Sequence, residues 1–291
     1  MGQTIACANQ KGGVGKTTTV VNLATYLALS GDRVLIIDLD PQGNATSGLG
    51  VDRAALDGSI YEAIANDADP AGLVRATPVS GLSILPSTIS LAGAEVELAT
   101  VGQRERRLAR IVARLRDGFD HVFIDCPPTL GLLTVNALTA ADAVLIPIQC
   151  EYYALEGLTH LIASINLIRD HLNPDLDVAG VLLTMSDART NLSAEVSAEV
   201  RRHLGDAVFQ TVIPRTVRLS EAPGFGLPIA LYRPGSKGAE AYRAAADEFR
   251  ARTARAAWRG IIPVAVGPGR TVVGEAGGAA DLDAPLIGAP A

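Results

Sequence analysis

The apolar residues of this chain alternate between two patterns. Thr4-Ile5-Ala6-Cys7-Ala8, Val34-Leu35-Ile36-Ile37, Val122-Phe123-Ile124 and Ala143 to Ile148 are short unbroken runs. Such runs mark strands buried on both faces of a parallel sheet. Between them, apolar residues recur at helical spacing. Val20, Leu23, Ala24, Leu27 and Ala28 form one such face, and Leu108, Ile111, Val112 and Leu115 another. Residues 54–117 alternate helical and extended pieces, Ile60 to Ala65 and Leu82 to Leu85 among them. Strands are expected again at Val178 to Met185 and Gln210 to Ile213. Helices are expected at about Ala154 to Arg169, Ser193 to Leu204 and Gly238 to Arg255. This strand–helix order predicts an α/β fold: a doubly wound, mainly parallel sheet with helices on both faces. No internal repeat interrupts it.

From Gly260 the pattern stops. Glycine, proline and alanine dominate, and Val264, Val266, Val272 and Val273 are too sparse for an element. Residues 1–259 are therefore expected to form one domain and 260–291 a flexible tail. The tail's charge, Arg270 against Glu275, Asp281 and Asp283, argues against a polybasic membrane anchor.

Composition narrows the class. With 291 residues, 48% hydrophobic and 19% charged, the chain is globular rather than disordered. It has no run of eighteen apolar residues, and the first strand begins almost at once, so neither a membrane span nor a signal peptide is expected. Cys7, Cys126 and Cys150 sit in or beside apolar runs without C-x-x-C spacing, as reduced core residues of a cytoplasmic protein would. The net charge of −6 weighs mildly against a nucleic-acid partner, although a local basic patch overrides net charge.

The chemistry is concentrated in Gln10-Lys11-Gly12-Gly13-Val14-Gly15-Lys16-Thr17-Thr18. A strand precedes it and a helical pattern follows, the context that makes a phosphate-binding loop. Glycines let backbone N–H groups turn inward around phosphate oxygens, and the helix beginning near Lys16 adds its positive end. Lys16 is expected at the β- and γ-phosphates and Thr17 on Mg²⁺. The usual pattern has glycine where this chain has Gln10, and a second lysine, Lys11, stands beside the glycines. Lysine is scarce here: Lys11, Lys16 and Lys237 are the three among 25 basic residues. Two of the three fall in this loop, where a compact ammonium fits among phosphate oxygens and a planar guanidinium does not.

Two apolar runs end in carboxylates. Asp38 and Asp40 close the second strand on one face before Pro41-Gln42-Gly43-Asn44 breaks it. Ligands bind off the carboxyl ends of such strands, which turns Asp40 toward the phosphates; by itself the pair is more readily a loop cap, and beside the phosphate loop the functional reading is favoured. Asp125 ends the run His121 to Asp125 before Pro127 and Pro128, the Walker B arrangement beside Mg²⁺. Arg104, Arg106, Arg107, Arg110, Arg114 and Arg116 form a basic stripe with two readings, nucleic-acid contact and a solvated helix face, the second the commoner.

These motifs together resemble the ParA/MinD family of P-loop ATPases with the deviant Walker A loop. Lys11 to Thr18 carries the loop, and Asp38 to Thr46 and Asp125 to Gly131 resemble the next two signatures. Glu151 to Gly157 and Ile213 to Pro223 are similar to the chromosome-partitioning ParA/Soj branch. The resemblance covers about residues 1–255 and points to the short, chromosomal-type form.

It implies an ATP hydrolase using ATP and Mg²⁺, with slow, partner-stimulated turnover. Lys11 matches the signature lysine that reaches a partner subunit's phosphates, which implies a homodimer sandwiching two ATP molecules. Asp40 matches the residue that orients the attacking water, and Asp125 the carboxylate that acts on Mg²⁺. Gly12, Gly13, Val14, Gly15 and Thr18 complete the phosphate loop. Met185 and Pro214, with Arg215, match positions around adenine. Arg189 and Arg218 match arginines of a non-specific double-stranded DNA surface, to which Lys237 and Arg243 are natural additions. A ParB-type protein is the implied stimulating partner, and the nucleoid the implied location of the ATP form.

Two rival functions follow from the same fold. A MinD-like positioning ATPase needs an amphipathic membrane helix, of which Phe249 and Trp258 with Arg250, Arg252, Arg255 and Arg259 are a faint version. An iron–sulfur carrier needs paired cysteines, and Cys126 and Cys150 are not spaced as a pair.

Overall fold

The computed structural model describes residues 2–151, 154–187 and 189–254. The expected tail, Tyr152, Tyr153, Arg255, Trp258 and Arg259 lie outside the described residues. The strands are β1 (Gln3–Cys7), β2 (Val34–Asp38), β3 (Arg75–Ala76), β4 (Leu82–Leu85), β5 (His121–Asp125), β6 (Ala143–Gln149), β7 (Asp177–Ser186) and β8 (Val208–Pro214). They form one sheet in the order β3-β4-β2-β5-β1-β6-β7-β8, parallel throughout except for the short antiparallel pair β3–β4.

Period-two alternation sorts each buried strand between two cores. Leu35, Ile37, Val122, Ile124 and Ile146 face one side, packed by the helices Arg107–Leu115, Leu132–Ala140, Ala154–His171 and Asn191–Leu204. Val34, Ile36, Phe123 and Leu145 face the other, packed by the helices Lys16–Leu29 and Lys237–Ala254. Helices on both faces explain why these strands have no polar side. Ile36, Ile37, Phe123 and Leu23 are completely buried, each worth roughly 1.5–3 kcal/mol of transfer free energy. The expected doubly wound α/β sheet is the observed fold.

The structure corrects two expectations and one feature of a rival reading. The second strand ends at Asp38, leaving Asp40 in the following loop. The arginine stripe is not one helix: Arg104 and Arg106 lie in a 3₁₀ turn, the helix spans Arg107–Leu115, and Arg116 follows it. Nor is it a free face. Arg107 pairs with Asp67 at 2.7 Å and Arg114 with Asp69 at 3.0 Å. Arg106 donates to the Leu172 carbonyl, Arg116 to Gly2 and Asp142, Arg110 to Gln103, and Arg104 to Glu105 and the Ala99 carbonyl. These guanidinium groups staple neighbouring segments together. Third, Phe249 is fully buried, its ring 5.6 Å from Phe123 and 5.7 Å from His121, so it belongs to the core and not to a membrane-facing surface. No helix among the described residues is long and apolar enough to cross a membrane.

The outer edge at β8 is dressed by side chains. Glu248 accepts the N–H groups of Gln210 (2.8 Å) and Thr211 (2.9 Å). Arg252 donates to the Val208 and Asp206 carbonyls, and Arg201 to those of Phe209 and Gln210.

Candidate active site

Three central strands deliver the site. β1 runs between β5 and β6, and its register sets Cys7 beside Asp125, while β2 sets Asp38 beside Asp125. The loop after β1 therefore rises next to two carboxylates at the carboxyl edge of the sheet, where doubly wound folds bind ligands.

Gly13 (φ +75°) and Gly15 (φ +89°) hold the loop in left-handed conformations that residues with a Cβ rarely adopt. A Cβ built at Gly12 or Gly13 meets nothing within 4 Å, so the glycines border an open hollow. Below the hollow the loop is pinned. Asn9 donates to the Pro147 carbonyl (2.8 Å) and accepts from the Lys11 N–H (3.0 Å), and the Thr184 hydroxyl donates to the Val14 carbonyl (2.8 Å). The helix Lys16–Leu29 starts at the far end and presents its unpaired N–H groups to the hollow.

The two lysines differ sharply. Lys16 is buried and turns its ammonium back to the Lys11 carbonyl at 3.3 Å. Lys11 lies on the rim, about half exposed, with Nζ 2.6 Å from Glu151. Gln149 also donates to that carboxylate, and an Arg215 nitrogen stands 3.9 Å away. An ion pair this exposed is worth about 0–1 kcal/mol and exchanges easily for another anion.

Asp125 is completely buried, and neither of its carboxylate oxygens has a hydrogen-bond partner among the described residues. Burial raises its pKa well above the usual carboxylate range, and the Asp38 charge adds to the shift; the nearby Thr17 hydroxyl opposes it. Asp38 is equally buried but fully engaged. It accepts the Thr46 hydroxyl at 2.6 Å, the Thr46 N–H at 2.8 Å and the Asp40 N–H at 3.3 Å. Burial lifts its pKa to about 6 in spite of the Thr46 bonds. Asp38 thus organises the loop, and Asp40, 8% exposed, is the carboxylate that loop carries, its Oδ1 accepting the Gln42 N–H at 2.9 Å.

An orphaned buried carboxylate beside a threonine and an open glycine hollow suits a hard cation that takes its remaining ligands from phosphate and water. The thiols of Cys7 and Cys126, beside these carboxylates, are pushed up by burial and stay protonated and inert.

Against the loop lies a cleft of about 260 Å³ whose lining includes Gly15, Thr18, Met185, Pro214, Arg215 and Tyr242. The residues expected around a base are thus brought together with the phosphate loop, Met185 at the unusual φ of +52°. Sequence reasoning missed Thr216, Leu219 and Tyr242 in the same wall. Tyr242 had a readable signal, as one of four large or small apolar residues (Ala239, Tyr242, Ala246, Phe249) repeating on one helix face.

The expected DNA residues are exposed but not all adjacent. Arg218 is half exposed, 2.7 Å from Glu221, and shares an open cleft with Arg233 and Ser236, next to Lys237 at the start of the helix Lys237–Ala254. Arg189 follows β7, paired with Asp187 at 2.6 Å; its side-chain bond holds the Asp187 carboxyl far below the usual range. Arg243 lies over the Tyr26 ring at 5.7 Å.

A family model described as an AAA domain matches residues 2–178. The sporulation initiation inhibitor protein Soj of Bacillus subtilis is 56% identical over 251 residues, 86% of this chain and 99% of that protein. The chain belongs to the ParA/Soj family of ATPases. The chromosome partitioning protein ParA of Myxococcus xanthus, another member, is 52% identical over 87% of this chain and 89% of its own length. Among solved structures, a cobyrinic acid a,c-diamide synthase from Mycobacterium smegmatis, with a bound ATP analog and magnesium, superposes with a TM-score of 0.75 at 41% identity, covering 85% of this chain and 93% of that one. Membership in the family makes this chain an ATP hydrolase of the ParA/Soj type.

Proposed function

We propose that this ParA/Soj-family ATPase is a nucleotide-switched partitioning protein. It binds ATP with Mg²⁺, closes into a homodimer over two nucleotides, and in that state holds double-stranded DNA without sequence preference. A ParB-type protein stimulates hydrolysis, which separates the protomers. The observation that carries this reading is the contrast between the two lysines: Lys16 turned inward over the glycine hollow, Lys11 on the rim in an easily exchanged ion pair.

The roles follow from position. The N–H groups of Gly12, Gly13, Val14, Gly15 and Thr18 receive phosphate oxygens, and Lys16 neutralises the β- and γ-phosphates. Thr17 and Asp125 would hold Mg²⁺, with Asp40 nearby. Bound there, the ion would neutralise charge on the β- and γ-phosphate oxygens. Asp40 orients the attacking water and accepts its proton. Met185, Pro214 and Arg215 enclose the base. Lys11 leaves Glu151 for the γ-phosphate held by a partner subunit, the in-trans cation of an arginine finger, for which rate effects of about 10³–10⁵ are usual. Residues 1–259 supply this machinery, and 260–291 form a separate tail. The ATP-bound form is accordingly expected on the nucleoid.

Arg189, Arg218, Lys237 and Arg243 give each protomer four exposed cations, and a dimer doubles them without any new contact. Eight phosphate contacts give a log–log salt slope near −7, against about half that for a monomer. Duplex retention with ATP, ADP and no nucleotide across a salt series tests this. ATP-specific retention with the steeper slope is expected; equal retention without nucleotide refutes the switch.

A further inference from the structure

Loop 41–43, which carries the turn after Asp40, is held from outside by one side chain. Arg53 lies in a 3₁₀ turn (Arg53–Ala55) that begins on an Asp52 cap, the Asp52 carboxylate accepting the Ala54 N–H at 3.0 Å. Its Nη1 donates to the Gln42 carbonyl at 2.6 Å. Its Nε is buried with no hydrogen-bond partner among the described residues. The guanidinium sits in the space where Gly43 lacks a side chain. A Cβ there would stand 2.8 Å from Arg53 Nε, 2.9 Å from its Cζ and 3.1 Å from the Ser87 carbonyl. Gly43 also has φ +63°, so both its conformation and this contact select glycine.

The geometry points to Arg53 as a positioning residue for hydrolysis: its guanidinium clamps the Gln42–Gly43 backbone and so fixes where the Asp40 carboxylate stands. The Gly43 N–H, in the same peptide unit as the carbonyl that Arg53 holds, donates to the Asp40 carbonyl (2.9 Å), and the Gln42 N–H of the adjoining unit donates to Asp40 Oδ1 (2.9 Å), so Arg53 acts one peptide away from the bond that orients the carboxylate. Inside the protein, Thr46 anchors the same stretch through Asp38, and the Ser87 N–H donates to the Thr46 hydroxyl at 3.0 Å. Asp38 holds the loop's inner side; Arg53 holds its outer side, from an open cleft lined by Ser47, Gly50, Thr88 and Ile89. A catalytic group displaced by about 1 Å loses on the order of 100-fold in rate, so a loosened clamp acts on turnover and not on nucleotide affinity.

This inference rests on the reading of Asp40 as the water-orienting group, and its test separates the two. Full-length wild type, Arg53→Met, Arg53→Lys and Asp40→Ala are compared for kcat and, by equilibrium dialysis, for ATP affinity with Mg²⁺. Methionine keeps the aliphatic stem and removes the donors; lysine restores one donor toward the Gln42 carbonyl. Arg53→Met is expected to lower kcat roughly five- to tenfold with ATP affinity within twofold, and Arg53→Lys to recover at least half the rate. Wild-type kcat in Arg53→Met, with Asp40→Ala inactive, overturns the clamp and leaves the Asp40 reading standing. Wild-type turnover in Asp40→Ala overturns both. Parallel losses of affinity and rate in Arg53→Met assign Arg53 to nucleotide binding and also overturn the clamp. Should Arg53→Met fail to fold, Arg53→Ala takes its place: a lowered kcat at unchanged ATP affinity supports the clamp, and wild-type kcat overturns it.

Discussion

Replacing Asp125 by asparagine should make the nucleotide-free protein more stable while disabling it. The carboxylate is completely buried, both oxygens lack partners among the described residues, and Asp38 stands in register beside it. A buried unsatisfied polar group costs roughly 1–3 kcal/mol, and a charged one more. Asparagine keeps the shape and removes the charge, so a gain of about 2 kcal/mol is expected. For a chain of this size that is a rise of roughly 4–8 °C in Tm. The pH dependence fixes the sign. Asp125 has a folded pKa raised by burial, so its contribution to stability is fully present below the unfolded value of about 3.9 and is lost as pH rises through the folded value. The variant has no such loss. Calorimetry without nucleotide should therefore show wild type and variant close together near pH 4, with the gap widening toward pH 8. Adding Mg²⁺ and ATP should reverse the order, because saturation at 100 times Kd stabilises wild type by about 2.7 kcal/mol and the variant binds the ion poorly. A variant that melts below wild type at pH 8 without nucleotide, or a gap independent of pH, would refute the account of an orphaned carboxylate.

Lys16→Ala removes the ammonium that bends over the glycine hollow. ATP affinity should fall at least 100-fold by equilibrium dialysis, and normal turnover in this variant rules out the P-loop assignment. Arg218→Glu shifts each protomer by two charge units on the surface it shares with Arg233. Duplex affinity should drop at least tenfold at low salt, with the slope shallower by about one per protomer, while light scattering still reports ATP-driven dimers; an unchanged gel shift would place DNA elsewhere.

The strands and the glycine loop after β1 were legible because their signals are local: unbroken apolar runs of three to six residues, and glycines that the loop's turns need whatever surrounds them. The helix Leu132–Ala140 was not, since its apolar, mostly buried sequence leaves no polar face to supply a period. The short turns between Val217 and Tyr232 fall below the length at which periodicity can be read. Asp38 illustrates a deeper limit. Beside Asp40 it reads as a second functional carboxylate, yet its role is set by Thr46 and by the burial that β5 imposes. The arginine stripe misleads in the same way, because the groups that absorb Arg106, Arg107, Arg114 and Arg116 lie far away in sequence. Arg53 carries no signal at all until the hollow at Gly43 is seen.

The dressed strand at one border of the sheet restricts how copies of this chain can meet. Glu248, Arg201 and Arg252 already occupy the Gln210 and Thr211 amides and the Val208, Phe209 and Gln210 carbonyls in the first half of β8, and the opposite border is the two-residue β3. Neither margin offers a template on which a neighbour's strand could zip. In the proposed DNA-bound state, molecules crowded on a shared polymer would gather without fusing into a continuous ribbon, and would pair through the nucleotide face.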